Sequence, residues 1–188
     1  MKKCLIALML LFINSCAWRS PDAVFYVMDS SDLQALSARK FSVAVAKVKV
    51  PEMLNRQQMV VYEENSNEIK VLEFNRWAEA LPEMLQGTLT NDLIAYLPSC
   101  YVKRTYFDDE KADYSVNVEI NQIKAYSGDK VILSAWWNIR DAKGKIVQHS
   151  QRTYEAKVKG NTISDLAAAQ AEALHLMSRD IAEKLLKL

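Results

Sequence analysis

From residue 114 the chain alternates. Tyr114, Val116, Val118 and Ile120 fall on one side, and Ser115, Asn117, Glu119 and Asn121 on the other. A two-residue period of this kind makes a strand with one apolar and one wet face. Strand patterns follow over 131–140 and 146–158, and Asp141-Ala142-Lys143-Gly144 between them makes a hairpin. Such a sheet must cover its apolar face, and two helices are available. The first, over about 79–97, repeats Leu81, Leu85, Leu89 and Leu93, joined by Met84, Ile94 and Leu97. Pro82 belongs to its first turn and Pro98 stops it. The second is capped by Thr162 or Ser164 and carries Leu166, Ala169, Leu174, Met177, Ile181 and Leu185 along one stripe. The class is α+β: a single domain, a mainly antiparallel sheet with two long helices.

The first half adds shorter strands. Residues 23–28 are an apolar strand candidate, and 29–39 read as a polar loop or a weak turn of helix. Over 41–50 the first half is apolar on both faces, and the second alternates Lys47 and Lys49 with Val48 and Val50. That pattern fits a strand covered on both sides at one end and wet at the other. Segments 58–63 and 68–74 form a hairpin around Asn65-Ser66-Asn67.

Ahead of these lies a different kind of sequence. Lys2 and Lys3 precede an apolar run over 5–13, too short to span a bilayer, and Ser15 offers a small residue before Cys16. This is the layout of a secretory signal. Ile13-Asn14-Ser15-Cys16 resembles a bacterial lipobox, which divides the chain into a signal (1–15), a lipidated tether (16–22) and a domain (23–188). The three acyl chains typical of such lipoproteins, palmitate among them, hold far more firmly than one. Ala17 stands where Asp would be the usual inner-membrane retention signal, which favours the outer membrane, facing the periplasm.

Losing the signal leaves 173 of the 188 residues, with 22 of the 24 basic side chains against all 23 acidic ones. A near-neutral chain has no electrostatic case for nucleic acid. Cys4 leaves with the signal and Cys16 is acylated, so Cys100 has no intrachain partner. A buried thiol or an intermolecular bond remains for it, burial being the expectation beside Tyr101 and Val102, and the fold must rest on its core.

Little in the sequence converges as chemistry. The four glycines never approach a phosphate-cradling pattern, and neither a nucleophile elbow nor a paired-histidine helix occurs. No metal site and no cofactor is expected. His149 and His175 are the only histidines and read as structural or surface residues; a pair of either with Cys100 is the one nucleophilic arrangement left open. Asp108-Asp109-Glu110 reads as a solvated turn. Trp136 and Trp137, adjacent on a strand, must face opposite ways. Either helices cover both faces of the sheet, or one indole serves an interface or a lipid contact.

Two segments invite more. In Val48-Lys49-Val50-Pro51-Glu52-Met53-Leu54-Asn55-Arg56-Gln57-Gln58-Met59-Val60 a strand stops at proline, makes a tight excursion bearing Arg56, and resumes. Phe74-Asn75-Arg76-Trp77-Ala78-Glu79-Ala80-Leu81 joins a strand end to a helix start. Arginine and tryptophan at strand ends suit a binding rim. The plain alternative is a buried Trp77 with Arg76 paired locally. Together with the lipobox and Phe25-Tyr26-Val27-Met28, these segments resemble the ABC-type transport auxiliary lipoproteins. The resemblance implies an outer-membrane lipoprotein in lipid transport between membranes, with an inner-membrane permease and an MCE-domain protein as partners. It also implies self-association, in a ring, and no catalytic residues. Arg56, Arg76 and Trp77 are then the candidate partner-binding residues. Two other classes compete: an envelope hydrolase using Cys100, and a carrier that itself binds lipid.

Overall fold

The computed structural model describes residues 20–29, 33–36, 39–64, 66–105 and 112–188. The signal, Cys16 and Asp108-Asp109-Glu110 lie outside them. The alternating segments form three long strands, β6 (Tyr114–Ala125), β7 (Lys130–Asp141) and β8 (Ile146–Lys157), antiparallel in sequence order. The β7–β8 turn follows its residues. The Asp141 carboxylate accepts from the Lys143 and Lys145 amides, and Gly144 takes φ +78°, which side chains disfavour.

On the other side of β6 lies β2 (Ser42–Val45), parallel both to β6 and to β5 (Tyr101–Arg104). This interior place explains a strand apolar on both faces: Val43, Ala44 and Val45 are all buried. After Val45 the chain leaves the regular ladder but still follows β6, with the Lys49 amide donating to the Val118 carbonyl at 3.0 Å. Lys47 stays exposed and pairs with Glu83 at 2.7 Å.

The sheet expected as one is divided in two. A smaller sheet, ordered β1-β4-β3, joins β1 (Val24–Tyr26), β3 (Gln58–Tyr62) and β4 (Ile69–Trp77). Here β3 and β4 form the expected antiparallel hairpin, and β1 runs parallel to β4.

Both helices, α1 (Leu81–Tyr96) and α2 (Ile163–Leu185), pack side by side on one face of the larger sheet. Thr162 caps α2 in a full capping box with Asp165. The leucines of α1 are buried, but so are Gln86, Thr88, Thr90 and Asp92. That helix is enclosed nearly all round, and its polar residues must find partners inside. Gln86 does so by donating to the Val45 and Thr105 carbonyls at 3.0 and 3.1 Å, closing the ends of neighbouring strands.

With both helices on one side, Trp137 enters the core and Trp136 lies half-buried on the opposite face. Among the described residues no helix covers that opposite face, so helices over both faces of the sheet, one of the two readings of this pair, are not found. The face away from the helices instead carries cross-strand polar pairs such as Gln122–Ser134 and Ser134–Thr153.

Candidate functional site

A cleft of about 770 Å3 opens between α2 and the segment following β1. Phe25, Val27, Leu33, Leu36 and Leu176 supply apolar lining, and His175 reaches it from α2. His175 Nδ1 lies 2.8 Å from the carboxylate of Asp92 on α1, which is fully buried. The same ring bonds to the main chain of Asp29, just beyond β1. Burial opposes a charge on His175, but the hydrogen bond and charge of Asp92, the Asp29 bond and nearby Glu172 outweigh it, so the pKa is raised. Tyr96 donates to the His175 carbonyl at 3.3 Å, and burial beside Asp92 pushes its phenol up to about 12. A histidine so engaged fastens three elements together. Its bonds are those of a clasp.

A second polar site closes the seam between α2 and β8. Trp137 Nε1 donates to the Tyr154 hydroxyl at 3.1 Å, and that hydroxyl donates to Asp180 at 2.9 Å. Arg152 completes the set, 3.2 Å from the same carboxylate. Burial first, then Asp180, pushes the Tyr154 pKa up.

The residues singled out for binding do come together. The main chain joins the Arg56 turn to the end of β4: the Trp77 amide donates to the Gln57 carbonyl at 2.7 Å, and the Leu81 amide to the Arg56 carbonyl at 3.3 Å. Gln58 is the cross-strand partner of Arg76. Their exposures differ from the expected rim. Trp77 is 2% exposed and belongs to the core, because β4 continues through it and turns its indole inward. Arg76 is accordingly a strand residue, paired within β4 by a 2.7 Å bond from Nε to the Glu73 carbonyl and a 3.9 Å contact with its carboxylate. Arg56 precedes β3 in a turn, as expected. It makes no ion pair among the described residues, and its Nε is enclosed without an acceptor.

Cys100 is half-buried rather than buried, and its thiol donates to the Arg39 carbonyl at 3.1 Å. Burial raises its pKa, against the opposing effects of the Phe41 backbone and Arg39. A raised thiol is a poorer nucleophile at neutral pH. His149 stands exposed on β8, and His175 is held by Asp92 and Asp29, so neither pairs with Cys100. Among the described residues no three His, Cys, Asp or Glu side chains gather as a metal site would require.

Asp92 and Phe25 carry roles that sequence reasoning did not give them. Asp92 had one visible signal, an acid four residues after Thr88 in a helix otherwise set by leucines. Nothing in the spacing links it to a histidine 83 positions away.

The profile of the family described as the ABC-type transport auxiliary lipoprotein component matches residues 27–182. A crystal structure of an uncharacterized protein superposes with a TM-score of 0.72 at 18% identity, covering 88% of this chain and 99% of that one. A Xanthomonas campestris protein gives 0.68 at 14% identity, over 85% and 92% of the two chains. A PelC dodecamer from Paraburkholderia phytofirmans gives 0.44 at 13% identity, over 76% and 89%. No curated protein matches the sequence.

Proposed function

Because the chain belongs to the ABC-type transport auxiliary lipoprotein family, we propose that it serves an intermembrane lipid transport system as its outer-membrane component. In this reading Cys16 carries the acyl anchor, and the domain faces the periplasm. There it receives an MCE-domain protein that spans the periplasm from an inner-membrane permease. The observation that carries the reading is the family match itself, which begins shortly after the lipobox and takes in the segments of Arg56 and Arg76. The unpaired Arg56 supports a docking role for this edge. Its Nε is enclosed and out of a partner's reach, so a docking contact would fall to the rest of the guanidinium, which makes no ion pair among the described residues. Trp77 supports the same edge from beneath. Its substitution should damage the fold before it damages recognition.

The test is recovery of partners from detergent-solubilised envelopes on the tagged, acylated protein. Recovery of an MCE-domain protein and its permease is expected; their absence under conditions that retain known envelope complexes would contradict the reading. Light scattering on the purified protein separates association between copies from partner binding. Cys16→Ser should abolish labelling by a palmitate analogue and release the protein from membranes. A mutant that still takes the label would refute the assignment of the anchor.

A further inference from the structure

Four apolar side chains near the tether are exposed, Val24 at the start of β1 (50%) and three others. Val27 is 66% exposed, Phe25 56% and Phe74 40%. Pairing in the small sheet accounts for Phe25. Tyr26 lies opposite Trp77 and accepts a 3.1 Å bond from Asn75, so these three face inward. Alternation then turns Phe25 and Arg76 outward, directly paired across β1 and β4, and Phe74, two residues earlier in the stretch of β4 where the β3 register is interrupted, is exposed as well. Two aromatic rings left on the solvent side of a sheet call for a cover.

We propose that this outer face of β1 and β4, built on Phe25, Phe74 and Val27 around Arg76, rests against the lipid surface that holds the anchor. The proposal relies on acylation at Cys16, and the length of the tether carries it. Phe25 lies nine positions beyond Cys16, a reach of at most about 30 Å when fully extended. A domain of this size is about 40 Å across. The tether is therefore too short for β1 to lie on the side of the domain farthest from the membrane. Aromatic rings suit the boundary between headgroups and acyl chains. Arg76 beside Glu73 leaves the patch with no net charge of its own, so zwitterionic lipid should suffice.

The test uses the acylated full chain in phosphatidylethanolamine–phosphatidylglycerol vesicles. With Cys100→Ala as background, nitroxide labels are placed through Phe25→Cys, Phe74→Cys and, as reference, His149→Cys, exposed on β8 at the edge of the larger sheet. Collision of each label with oxygen, which partitions into lipid, is compared with collision with a water-soluble nickel chelate. The oxygen-to-nickel ratio should be several-fold higher at 25 and 74 than at 149. Equal ratios at all three positions would overturn the proposal. Labels at 25 and 74 shielded from both reagents would overturn it too, since a second copy or a protein partner would then be the cover. The mass of the N-terminal peptide is measured first. An unacylated cysteine removes the anchor and this inference with it, whereas an acylated chain with water-exposed labels removes the inference alone.

Discussion

Asp92 and His175 lie between the helices, each held by the other, with Asp29 and Tyr96 closing the arrangement. Arg56, at the turn before β3, has no ion pair among the described residues, and Arg76 has only Glu73 of its own strand. The same scaffold thus treats its charges in two ways. Inside, polar groups are spent on joining elements that sequence keeps far apart: α1, α2 and the segment after β1 at one site, β7, β8 and α2 at the other. At the edge of the small sheet, arginines are left with capacity to spare. Buried polar groups therefore report on stability, and edge arginines on recognition.

The largest effect should come from breaking the inner pair. Asp92→Ala leaves His175 buried without its carboxylate, and loss of one partner of a buried pair costs about 3–5 kcal/mol. Denaturant unfolding measures it, and a change below about 1 kcal/mol would mean the pair contributes little. Tyr154→Phe comes next. It strips Trp137 Nε1 of its acceptor and removes a donor from Asp180, a loss of about 1–3 kcal/mol.

A smaller, pH-dependent effect follows from His175. Its folded pKa is raised above the unfolded value of 6.5, so the folded state holds the proton more tightly. The resulting stability is fully present below about pH 6.5 and is lost as pH rises through the folded value. The melting-temperature difference between wild type and His175→Gln should therefore shrink as pH rises above about 6.5 and through the folded value. A difference that grows over that range would show that the histidine is held neutral.

The long antiparallel strands and both helices were legible because their apolar periods are local and strict. The division into two sheets was not. It depends on β1 joining β4 in parallel, about fifty residues away, and three residues of strand carry no pattern that names a partner. Trp77 shows the limit of reading a site from residue types. Arg76-Trp77 suits a binding edge equally well with the indole outward or inward, and only the continuation of β4 through Trp77 decides it. The clasp was hidden for a related reason. Asp92 and His175 are ordinary members of two helices until the helices are placed side by side.

The division between inner and edge charges is tested most directly by Arg56→Glu, followed in parallel by thermal unfolding and by recovery of partners from solubilised envelopes. Reversing this charge should leave the fold intact, with a stability change no larger than about 1–3 kcal/mol, the scale set by its enclosed Nε. It should also reduce partner recovery severalfold, because recognition is disturbed and packing is not. Full recovery at unchanged stability would contradict the docking role of this edge, and loss of the fold would place Arg56 among the internal ties.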